Sequence, residues 1–261
     1  MLVNTELSGA RCIHLMYDAN ANKLYVRTND NTGWLGGYAP GTANVIENSY
    51  VKLYCAETYK TVVDKTLTVY WRLVAKETMA GKTCSAWMRV TDRSELYTSW
   101  DLMSSSYRIN TSPYIGALTP QTGQLSTSLP ATLAARYSDP DGYADLAECR
   151  LLINTALYGG NCIHLMYDHA RDLLYLRNDA NTGWLGGFAP GSANTIQNSF
   201  GILYCQQTTV TGSGAELKMN WRVQPKPAFA GVGKKAWLRA NDTFGGLADW
   251  VQKGSYEITA P

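Results

Sequence analysis

Histidine is scarce in this chain, and the few copies do not group. Of 261 residues only three are histidine: His14 and His164 lie inside identical stretches, and His169 lies in a turn. No HExxH, CxxC or GxSxG occurs, so the spacings that bring metal ligands, or a nucleophile and its base, onto one site are missing. A protein without enzymatic activity is expected. An excess of charge is missing too: 23 basic against 21 acidic residues leave +2, with no long block of one sign. That excludes the electrostatic footprint of a nucleic-acid binder or of a protein drawn to anionic membranes. No apolar run approaches the roughly 18–20 residues that span a bilayer, so membrane insertion is not expected. The opening MLVNTELSGAR lacks the basic start and apolar centre of a signal peptide, so an exported form would have shed its leader.

What the chain does have is itself, twice. At an offset of 150 residues CIHLMYD (12–18) meets CIHLMYD (162–168), and NTGWLGG (31–37) meets NTGWLGG (181–187). All eight tryptophans pair off in this register: Trp34 with Trp184, Trp71 with Trp221, Trp87 with Trp237, and Trp100 with Trp250. A repeat of this length implies duplicated domains. Between the copies lies NTSPYIGALTPQTGQLSTSLPATLAARYSDPDGYADLAECR, which is single-copy. Its Pro, Ser, Thr and Gly content reads as a linker at first. Asp-Pro-Asp-Gly between two alternating apolar runs then reads as a hairpin opening the second copy. The expected division is residues 1–110, a copy lacking its first strands, and residues 111–261, a complete copy. Three explanations stand for the short copy: a longer tandem array, service by the intervening segment, or a strand donated by another molecule.

Helical periodicity is weak throughout, whereas alternation of period two recurs in both copies. LTVYWRLV puts Leu67, Val69, Trp71 and Leu73 on one face, matched by Leu217, Met219, Trp221 and Val223. Trp71 and Trp221 are expected in the core. Short strands broken by Asn, Asp and Gly turns indicate an all-β sandwich. Cys12 and Cys55 recur as Cys162 and Cys205. Their place in alternating runs is that of Cys12–Cys55 and Cys162–Cys205 disulfides across facing sheets, the alternative being buried thiols. Such a bridge would stabilise a domain by roughly 3–4 kcal/mol and imply an oxidising compartment. Cys84 and Cys149 have no repeat partner, and pair with each other, bridge molecules or stay free.

Two further sets of residues carry possible chemistry. Asp139, Asp141 and Asp145 in SDPDGYAD are hard oxygen ligands suited to calcium, although the same tetrapeptide makes a tight turn without metal and no distal glutamate completes an EF-hand. Beyond calcium no cofactor is implied. Trp34 with Tyr38, and Trp184 with Phe188, could form an aromatic platform for carbohydrate. The competing reading makes each tryptophan a buried plug brought down by a sharply bent glycine loop.

The series LYLRNDANTGWLGGFAPGSANTIQNS, GSGAELKMNWRV, PAFAG, AWLRANDTFGGLADW and SYEI resembles an immunoglobulin-like module carried in tandem by large bacterial surface and secreted proteins. The resemblance covers nearly all of both copies. It implies two tandem immunoglobulin-like β-sandwich domains in a structural or adhesive protein located outside the cell or on its surface. The expected partners are copies of itself, as in a filament joined by strand donation, or other extracellular domains. A carbohydrate-binding module is the second reading.

Overall fold

The structure is a computed structural model describing residues Met1–Ala260. Its elements are strands and short 3-10 turns, with no α-helix among the described residues. The chain divides into two compact units, Met1–Thr111 and a second beginning at Ser112.

Unit 1 contains β1 (Leu2–Asn4), β2 (Ile13–Asp18), β3 (Lys23–Arg27), β4 (Trp34–Tyr38), β5 (Val45–Glu47), β6 (Val51–Tyr54), β7 (Tyr59–Val63), β8 (Thr66–Tyr70), β9 (Leu73–Ala75), β10 (Thr83–Met88) and β11 (Asp101–Arg108). They form one sheet in the order β11-β10-β1-β2-β3-β4, a three-stranded sheet β5-β6-β9 and the pair β7-β8.

Unit 2 contains β12 (Tyr114–Thr119), β13 (Thr122–Ser126), β14 (Ala131–Ser138), β15 (Leu146–Asn154), β16 (Ile163–Asp168), β17 (Leu173–Arg177), β18 (Trp184–Phe188), β19 (Thr195–Gln197), β20 (Gly201–Tyr204), β21 (Thr209–Ser213), β22 (Glu216–Pro225), β23 (Gly231–Asp242) and β24 (Leu247–Thr259). One sheet runs β12-β14-β22-β20-β19, with β21 also on β22; the other runs β13-β24-β23-β15-β16-β17-β18. Inward side chains of both, among them Leu133, Tyr137, Trp221, Leu151, Leu165 and Leu238, form a single core. Strand β22 shows why: every second residue, Leu217, Met219, Trp221 and Val223, is buried. The pair β13–β24 is parallel, Thr122 opposite Ser255 through Ser126 opposite Thr259.

Three expectations need correction. The segment expected to be a linker is structured, because β12 and β13 each join a sheet of unit 2. The Asp-Pro-Asp-Gly segment is an arch, not a hairpin: β14 pairs with β12 and β22, while β15 pairs with β16 and β23 in the other sheet. The 3-10 turn Tyr143–Asp145 follows the tight turn and carries the chain across, so the two runs face each other through the core instead of sharing hydrogen bonds. Trp71, expected in the core, is only partly buried against it, whereas Trp221 is completely enclosed.

The cause of that difference is β14. It pairs with β22 over eight residues, Ala131 opposite Val223 to Ser138 opposite Glu216. The matching stretch of unit 1 is broken into β8 and β9, and no strand lies along its outer edge. Leu67 is therefore 44% exposed where Leu217 is 1%. The other sheet repeats the pattern: Val90 is 62% exposed, and its counterpart Ala240, paired with Cys149 of β15, is 0%.

Candidate functional site

The six cysteines are all buried free thiols. The expected Cys12–Cys55, Cys162–Cys205 and Cys84–Cys149 bridges are absent, and for the repeated pair the geometry supplies the reason. Asn198 Nδ2 donates to the Cys162 carbonyl at 2.8 Å, and a Cβ on Gly201 would lie 2.7 Å from Ile163 Cγ1, so Cys162 sits at the start of β20. Cys205 follows the end of that strand. Four extended residues at about 3.3 Å each separate the two by roughly 13 Å, about twice what a disulfide spans. Asn48 makes the same contact with Cys12 beside β6. Cys84 and Cys149 each lie in a sheet of their own unit, opposite Tyr107 and Tyr167. Burial pushes the Cys12 thiol up to about 11, with Cys84 adding to the shift, and Cys162 to about 12, so these are unreactive groups.

The two verbatim stretches meet in space. In unit 2 the His164 ring lies between Trp184, edge-on at 4.9 Å, and Trp250 at 5.3 Å. In unit 1 His14 repeats this with Trp34 at 5.0 Å and Trp100 at 5.4 Å. Arg177 covers Trp184 at 4.9 Å, and Arg27 covers Trp34 at 4.8 Å. Each arginine is aimed by its own turn, where Asn181 or Asn31 accepts from Nε at 2.7 Å. Burial, then Arg150, Arg177 and Arg239, press His164 down to about 3; His14 is lowered to about 4, chiefly by burial. The imidazoles are neutral packing elements rather than proton carriers at neutral pH. Sequence reasoning left these histidines aside, and the signal that could have found them was the verbatim recurrence of the strand that carries them.

NTGWLGG itself is neither an open loop nor a buried plug. Trp34 and Trp184 are half-buried and begin the edge strands β4 and β18, in which Tyr38 and Phe188 are partly exposed. Leu174 pairs with Phe188 and Tyr175 with Gly186, leaving Gly187 as the extra residue of a bulge. Gly186 has φ +108, and a Cβ there would fall 2.4 Å from Ile196 Cδ1. An arginine over each indole occupies ring surface that a sugar would need.

The aspartates do come together. Ligand oxygens of Asp139, Asp141 and Asp145 all lie within 4.8 Å of one another. Asp139 is fully buried, and its carboxyl is raised to about 6 by desolvation, helped by the charges of Asp141, Asp145 and Asp242. By contrast, Asp18 is a turn cap: its Oδ1 accepts from the amides of Asn20 and Ala21. In the second copy Asp168 plays that part for Arg171.

No protein-family model matches the chain, and no curated protein matches it.

Proposed function

We propose that this chain is a non-catalytic structural or adhesive module of an extracellular bacterial assembly, built from tandem immunoglobulin-like β-sandwich domains. In it, unit 1 receives a β-strand from another chain. One observation carries the reading: an edge that β14 closes in unit 2 is open in unit 1, and it exposes apolar side chains among the threonines of β8. Leu67, Tyr70 and Val74 are exposed along β8 and β9, beside Val62 and Val63 of β7. Unpaired main-chain groups next to exposed apolar side chains form a template for an added strand. Residues 112–149 do not close this edge, since β12, β13, β14 and β15 are all paired within unit 2. Carbohydrate binding through Trp34 and Trp184 is the second reading, and the arginine lying over each indole weighs against it.

The donor strand can be imitated by the sequence that does the same work in unit 2. A peptide LPATLAARYS, added to the full chain, is expected to bind one to one and to slow amide exchange across Thr66–Ala75, and a scrambled peptide is not. Without peptide, sedimentation is expected to show association that grows with concentration. A monomer at all concentrations, with those amides unaffected by the peptide, would overturn the proposal.

A further inference from the structure

We propose that Asp139, Asp141 and Asp145 form a calcium site that fastens three turns at one end of unit 2. The arch between β14 and β15 is tied to its neighbours on both sides. The Asp139 amide donates to the Ala215 carbonyl at 2.8 Å and the Tyr143 amide to the Gly214 carbonyl at 3.0 Å, which joins it to the turn before β22. The Thr243 amide donates to the Asp145 carbonyl at 2.8 Å, and the Thr243 hydroxyl donates to Asp145 Oδ1, which joins it to the turn between β23 and β24. Asp242 in that turn is held in place, its Oδ1 accepting from the amides of Phe244 and Gly246 at 2.8 and 2.7 Å.

The decisive atom is Asp139 Oδ2. Asp139 has no exposed surface; its Oδ1 accepts from the Asp141 amide at 2.8 Å, and its Oδ2 has no hydrogen-bond partner. A carboxylate oxygen kept from water with no donor is costly, and it lies here in a cluster with two further carboxylates. A cation among the three answers both costs. Coordination habit selects which cation. Calcium takes six to eight oxygens in a flexible shell that suits carboxylates and carbonyls gathered at a turn, whereas magnesium demands near-octahedral geometry and gives up its waters reluctantly. All-oxygen chemistry without histidine or thiolate also disfavours zinc. The residues matching 139–145 at the repeat offset do not occur in 1–111, so one ion per chain is expected.

The test uses the full chain, stripped with a chelator and titrated with calcium chloride in a calorimeter, alongside thermal unfolding followed by tryptophan emission. The expected result is saturation at one calcium per chain, an unfolding midpoint raised by several degrees, and at least tenfold weaker binding of magnesium. Asp139→Asn is expected to abolish the binding. Asp141→Asn, at a less buried turn position, is the second variant should the first misfold, and is expected to weaken binding at least tenfold with an unchanged emission spectrum. Absence of binding at millimolar calcium, equal binding of magnesium, or undiminished binding by a folded variant would overturn the proposal.

Discussion

An imidazole held between two indoles and ringed by guanidinium groups cannot easily take up a proton. For His164 the folded value of about 3 lies below the unfolded reference of 6.5, so between those limits the unfolded chain binds the proton and the folded chain does not. Stability from this residue is complete above pH 6.5 and is lost as the pH falls toward 3. The slope reaches about 1.4 kcal/mol per pH unit for one such group. Urea unfolding from pH 7 to pH 4 is expected to show this decline, and His164→Phe, which keeps a ring between Trp184 and Trp250, is expected to reduce it. An equal decline in the variant would remove His164 as its source. The arginines also lie over the indoles, Arg27 over Trp34 and Arg177 over Trp184, and so add a packing contact to each ring.

At the scale of elements, NTGWLGG writes an edge strand that does not invite pairing. The bulge at Gly187 bends β18 at the outer margin of its sheet, and Gly186 lets β18 pass close to Ile196. Gly186→Ala would impose a Cβ at a positive φ and against a packed side chain, so a loss of about 1–3 kcal/mol is expected in chemical denaturation. Gly191→Ala, whose Cβ meets nothing within 4 Å, isolates the backbone cost and should lose less. Much of this architecture was legible in the chain. Alternation located β22, and the repeat located its counterpart in unit 1, there broken into β8 and β9. What the chain could not show is the end of a strand at which a side chain lies. Cys162 and Cys205 both alternate inward, yet they sit at opposite ends of β20, and spacing along the sequence is blind to that. The Asp-Pro-Asp-Gly turn was legible as a turn, but its exit into a second sheet depends on the 3-10 turn and on contacts with residues 214 and 243, far away in sequence. The three aspartates could be named from local spacing because they share one turn. Asp242 and Thr243 could not.

Across the whole chain, two copies of one pattern end with different degrees of enclosure. Trp221 is completely buried, and Trp71, in the same place of the repeat, is only partly buried. Trp221→Ala is therefore expected to cost unit 2 about 3–5 kcal/mol, with Trp71→Ala costing unit 1 clearly less. Calorimetry of the parent chain should show two transitions, unit 1 melting first and unit 2 later. Equal costs for the two variants would mean that the edge of unit 1 is covered in solution, and a single transition would contradict unequal enclosure.

The parallel pairing of β13 with β24 has a mechanical meaning. The chain enters β13 at one end of that pair and leaves β24 at the other, so tension applied along the backbone slides the two strands past each other rather than peeling them apart. Once β12, which precedes β13 and is held on β14, has been drawn away, five opposed residue pairs, Thr122 with Ser255 through Ser126 with Thr259, bear the load together. A unit wired this way resists a pull along its length more strongly than its equilibrium stability alone would suggest.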